Sequence, residues 1–122
     1  MAPVSLRIRV ALCALLGAGC AWSPAPRLET GGHVRLRHEA QPGMTVSVVG
    51  DFNGWTPGQD PLREVGPGRY EGILQLGPGA HSYAFAQAID GGVEVVIPEA
   101  APGYVDDDLG GRDGVLQIPG EQ

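Results

Sequence analysis

The sequence predicts an all-β fold, an antiparallel β-sandwich, on three observations. Short runs of alternating apolar and polar residues recur along the chain. Gly and Pro turn signals separate these runs. After the first twenty residues, no window carries apolar residues at helical spacing for long enough to make a helix. Short strands divided by regular turns are the pattern of two sheets packed face to face.

The strands can be taken in order. Over 33–38, Val34 and Leu36 face one way and Arg35 and Arg37 the other. Over 44–49, Val46 and Val48 point inward. The run 69–76 puts Tyr70, Leu74 and Leu76 on one face, and 81–89 does the same for Tyr83, Phe85 and Ile89. Runs at 92–97 and 115–118 complete the set. Gln41-Pro42-Gly43, Gly66-Pro67-Gly68, Gly77-Pro78-Gly79 and Asp90-Gly91-Gly92 supply the turns.

Composition fits one small domain. The chain has 122 residues, 43% of them hydrophobic and 18% charged, which is enough apolar material for a core and excludes global disorder. Its formal charge is −6, and every basic residue is an Arg. With no basic cluster in the sequence, nucleic acid is not an expected partner. The same acidity argues against electrostatic adhesion to an anionic membrane. The sequence lacks a Gly-x-Ser-x-Gly elbow, a phosphate loop and a His-Glu-x-x-His motif, and a carboxylate pair for glycoside hydrolysis needs a cleft that a small sandwich rarely makes. The reading is therefore a non-enzymatic protein with no cofactor. Asp106-Asp107-Asp108 and Asp113 do not follow an EF-hand spacing, and His33, His38 and His81 have no ligand spacing, so no metal is expected.

Residues 1–19 read as a signal peptide, with Arg7 and Arg9 ahead of an apolar stretch too short to span a bilayer. It ends in Gly17-Ala18-Gly19-Cys20, which resembles the processing site of bacterial lipoproteins, where the Cys becomes a lipidated N-terminus. Gly17 stands where that family usually has Leu. The alternative is an ordinary secretory signal that leaves Cys20 as a free thiol. Cysteine usage favours lipidation, because Cys13 would leave with the signal and Cys20 would then have no partner. Ala21 after the Cys, by the same resemblance, implies the outer membrane, facing the periplasm. Removing 1–19 leaves 14 acids against six Arg, a formal charge of −8. Residues 20–30 read as the lipidated Cys and a tether. Trp22 within it is either an interfacial anchor or an accident of composition.

The segment Val46-Ser47-Val48-Val49-Gly50-Asp51-Phe52-Asn53-Gly54-Trp55 strongly resembles the opening of the glycogen-binding module of the AMP-activated protein kinase beta subunit. That is the family 48 carbohydrate-binding module, related to the early-set domains of branching and debranching enzymes. Pro61-Leu62, Gly68-Arg69-Tyr70, the run from Pro78-Gly79 to Tyr83-Ala84-Phe85, Asp90-Gly91, and the run from Leu109 to Leu116 continue the likeness in register. It covers roughly 34–118. It implies an immunoglobulin-like, early-set sandwich over 31–119, followed by a tail at 120–122.

The resemblance also implies a glycan site. Trp55 would stack on a glucose ring, offering a flat apolar face to its C–H bonds; capping of the sandwich is the competing role. Phe52 belongs to the core, and Asn53-Gly54 is a turn. Of the family's other contacts, Leu109 is kept. Asp113 can accept from a hydroxyl. Ala84 stands where the family has a donating Lys, and Gly92-Val93-Glu94 lacks the second Trp. Tyr104 is a candidate substitute for that second aromatic face. The expected partners are an α-glucan, bound weakly, and the membrane through Cys20. A cell-envelope protein is the alternative partner, for a module that has lost sugar binding.

Overall fold

The computed structural model describes residues 22–106 and 111–120. Cys20 and the signal segment, Asp107, Asp108 and Leu109 lie outside the described residues. Among those residues, ten strands form: β1 (Arg27–Leu28), β2 (His33–Glu39), β3 (Val46–Gly50), β4 (Asp60–Pro61), β5 (Arg63–Gly66), β6 (Arg69–Gln75), β7 (Gly79–Ile89), β8 (Gly92–Val96), β9 (Gly103–Asp106) and β10 (Arg112–Ile118). Sheet A has the order β1-β2-β6-β5. Sheet B has the order β4-β3-β7-β10-β9, with β8 also paired to β7. All pairings are antiparallel. The two sheets pack as the predicted sandwich.

The inward residues follow the alternation. Val34 and Leu36 from sheet A meet Val48, Tyr83, Phe85, Leu116 and Ile118 from sheet B in one core cluster. Each such side chain contributes about 1.5–3 kcal/mol by leaving water. Tyr70 is buried too, and its hydroxyl straps the β2–β3 turn: it donates to the Gln41 carbonyl at 2.6 Å and accepts from the Met44 amide at 2.8 Å.

Three features depart from the sequence reading. Ile89, expected in the core, is exposed at the end of the β7–β8 hairpin, where it pairs with Gly92. The strand pairs β5 and β9 were not expected; their residues alternate too weakly to announce a strand, and pairing with β6 and β10 makes them. The segment read as a tether joins sheet A through β1, where Arg27 pairs with Arg35 and Leu28 with Val34. Trp22 rests half-buried with the guanidinium carbons of Arg37 and Arg69 each 5.5 Å from its ring centre.

His38 and Gln87 form a buried polar link between the sheets. The His38 ring stacks on Phe85 with centroids 4.5 Å apart, and its Nε2 meets the Gln87 side-chain oxygen at 2.6 Å. That distance requires the proton on Nε2. The sequence suggests a surface or edge role for His38; the structure instead buries it on the core face with Val34 and Leu36, where a polar partner 49 residues away, which the sequence does not reveal, satisfies it.

Candidate ligand-binding site

The loop after β3 is built by its own side chains. At Gly50, any Cβ would collide with the Phe52 ring and the Ser82 carbonyl, so only Gly fits. Asp51 closes the end of β3 onto β7: its amide donates to the Ser82 carbonyl at 3.1 Å, and its carboxylate accepts from the Ser82 amide at 3.0 Å. Phe52 packs against the core. Asn53 is buried; its oxygen accepts from the Gly50 amide at 3.1 Å, and its amide donates to the Val48 carbonyl at 3.0 Å and to Asp60 at 2.7 Å. Gly54 takes a left-handed backbone at φ 66°.

Trp55 stands apart from this set. Its amide closes the turn onto the Gly50 carbonyl at 2.9 Å, but its side chain is exposed, at 39%. Among the described residues it is the non-glycine residue with positive φ, at 59°. A left-handed residue with a Cβ costs about 1–2 kcal/mol. An exposed aromatic is therefore held where Gly or Asn would be less strained.

Beyond Trp55 the loop crosses the outer face of sheet B. The Gly58 amide donates to Ser47 Oγ at 2.9 Å, and Ser47 pairs with Ala86 on that face. Here Val49, Ala84 and Ala86 form a second buried apolar cluster, outside the main core. Beside it lies a shallow groove of about 190 Å³, lined by Thr45, Pro57, Gly58, Ala86, Ala88 and Val93. A larger hollow of about 370 Å³ lies between β1 and the end of β10, near Leu28, Gly31 and Ile118, away from Trp55.

The other site residues divide by face. Gly114 pairs with Tyr83, a core residue, and with Tyr104. Tyr104 therefore lies on the core side of sheet B. Its hydroxyl donates to the Pro98 carbonyl at 2.7 Å and accepts from the Ala101 amide at 3.2 Å, while Arg112 covers its ring at 4.6 Å. Burial, with Tyr104 nearby, pushes the Tyr83 hydroxyl well above its usual pKa, so it stays neutral and structural. Asp113 is one residue from Gly114 and pairs with Val105, which puts it on the outer face. The fold thus places Asp113 and the Pro57–Gly58 segment on the outer side of sheet B, and Tyr104 on the other. Tyr104 is 37% exposed there, on the opposite side of sheet B from Asp113, with its ring against Arg112. Ala84 faces outward and is buried, with no group to donate.

No family model matches the chain, and no curated protein matches it significantly. The site is therefore characterised by its geometry. It has one exposed aromatic on the loop after β3, a carboxylate on the outer face of sheet B, and an apolar groove between β3, β7 and β8. Among the described residues no group of three or more His, Cys, Asp or Glu side chains is placed to hold a metal ion.

Proposed function

We propose that this is a non-catalytic binding module of an exported lipoprotein, taking glycogen or a related α-glucan weakly through Trp55. The observation that carries the reading is Trp55 itself, exposed in a left-handed conformation on a loop that the buried Asn53 side chain ties to Gly50, Val48 and Asp60. Strain kept at an exposed aromatic points to a use for the ring. One stacking face and one acceptor, Asp113, predict affinity on the order of millimolar. The likeness to family 48 carbohydrate-binding modules supplies the sugar class. The test uses residues 21–122 on immobilised glycogen and an α-glucan array, wild type beside Trp55→Ala. Retention that disappears in the variant supports the reading. No retention, or retention unchanged by the substitution, overturns it.

The groove favours a second reading, a protein-interaction module of the cell envelope. Pro57, Ala86, Ala88 and Val93 give it apolar walls, and Val93 and Val95 are exposed on β8 beside it. Stoichiometric capture of an envelope protein, lost in Ala88→Glu, selects this reading over the first. Anchoring through Cys20 at the outer membrane is part of both proposals. The mass of the mature chain extracted from membranes decides it, since an unmodified Cys20 thiol removes the anchor.

A further inference from the structure

The arginines are dispersed in sequence and gathered in space. Arg27, Arg35, Arg37, Arg63 and Arg69 all lie on strands of sheet A. The register puts them on one face: Arg27 opposite Arg35, Arg37 and Arg63 opposite Glu71, and Arg69 opposite Glu39. This is the outer face, opposite to Val34, Leu36 and Tyr70. Arg35 is shared between Glu29 and Glu71, each at 2.8 Å, whereas Arg27, Arg63 and Arg69 are exposed. Sheet A and its loops also carry Glu29, Glu39, Glu64 and Glu71, of which Glu29 and Glu71 pair with Arg35 and Arg37, so its excess of positive charge is small. The other described acids gather on the second sheet and its loops. Asp51, Asp60, Asp90, Glu94, Asp106 and Asp113 belong to sheet B or its loops, where Arg112 is the basic residue on a strand. Five arginines against four acids leave sheet A slightly basic while sheet B is acidic, an asymmetry across the two sheets that the net charge conceals.

The chain enters on the basic face. Arg37 and Arg69 are diagonal neighbours across β2 and β6, and Trp22 lies against both guanidinium groups. A free tether of ten residues would let the domain drift about 17 Å from its anchor. With Trp22 held on sheet A, only Ala21 lies between it and Cys20, and two residue steps reach at most about 7 Å.

We propose that the outer face of sheet A docks on an anionic lipid surface. The proposal rests on the reading of Cys20 as the lipid anchor. Arg guanidinium groups match phosphate oxygens in geometry as well as charge. The acidic sheet B is repelled by the same surface, so the asymmetry selects one orientation. The groove and Trp55 then face away from the membrane, open to a ligand. The low net charge of the sequence argued against membrane adhesion; segregation of the charges reverses that expectation for one face.

The test attaches residues 20–122, which hold all ten described strands and the core they bury, through the Cys20 thiol to a maleimide lipid in nanodiscs. Orientation is thus measured whether or not cells acylate Cys20. Nitroxide headgroups report proximity through amide relaxation. In discs containing phosphatidylglycerol, enhancement at β5 and β6 is expected to exceed that at β8 and β9 several-fold. The contrast should fall to its value in phosphatidylcholine discs in the double variant Arg27→Gln with Arg63→Gln, and should fall also in Trp22→Ala. Equal enhancement of both sheets, or a contrast indifferent to lipid charge and to the arginine substitutions, overturns the proposal. An unmodified Cys20 in cell-extracted protein would remove the anchor reading alone, leaving the orientation result to be judged separately.

Discussion

The side-chain amide of Asn53 donates to the Asp60 carboxylate at 2.7 Å, tying the loop after β3 to the strand β4 that follows it. Asn53 also satisfies the Gly50 amide and the Val48 carbonyl, so one buried side chain holds three partners. Asn53→Ala removes all three and strands two backbone groups. We expect a loss of about 2–3 kcal/mol, on the basis of the penalty for unsatisfied buried groups. The urea unfolding midpoint measures it, and a red-shifted, more quenchable Trp55 emission in the native baseline would show that the loop has loosened.

Trp55→Gly should separate stability from binding. Gly accepts φ near 59° without the Cβ penalty, so the variant should match or exceed the wild type by about 1 kcal/mol despite losing an aromatic ring. Glycan retention should vanish in the same protein. A clear destabilisation in chemical denaturation would instead assign Trp55 a packing role.

Tyr70→Phe keeps the buried ring and removes the strap on the β2–β3 turn. The Gln41 carbonyl and the Met44 amide each lose a partner. The expected cost is about 1–2 kcal/mol, read from equilibrium unfolding. Hydrogen exchange should quicken at Met44 well before it does in the core strands.

Acid should weaken sheet A first. The Arg35 hydrogen bond holds the Glu71 carboxyl below its ordinary pKa, assisted by Arg37, and the same Arg35 lowers Glu29. A depressed native pKa means that the unfolded chain binds more protons as the pH approaches about 4. The stabilisation is therefore complete above the unfolded pKa and is lost as pH falls through the native one. Urea midpoints at about pH 6 and about pH 3 should differ less in Glu71→Gln than in the wild type. The effect is modest and shrinks in salt, since these are surface pairs.

The site was legible in the sequence only in part. Gly50 to Trp55 could be recognised because its roles are local: the hydrogen bonds of Asn53 to Gly50 and Val48 span three and five residues. The face of Tyr104 was not legible, because it depends on pairing with Gly114, ten residues away, and through it on Tyr83. The apolar groove was equally hidden. Ala86, Ala88 and Val93 read as an unremarkable strand and its neighbour until the Pro57–Gly58 segment folds over the same face.

The sequence by itself determined the fold class and most of the core. Alternation with period two assigns a face to each residue, and Val34, Leu36, Val46, Val48, Tyr70, Tyr83 and Phe85 are buried as that period requires. Tertiary structure alone decided which strands are neighbours, that Ile89 is outside the core and Val49, Ala84 and Ala86 are covered, and that five arginines share one face. The physical reason is the range of the interactions. Periodicity is a property of consecutive residues, whereas strand register, inter-sheet burial and charge segregation depend on contacts between residues tens of positions apart.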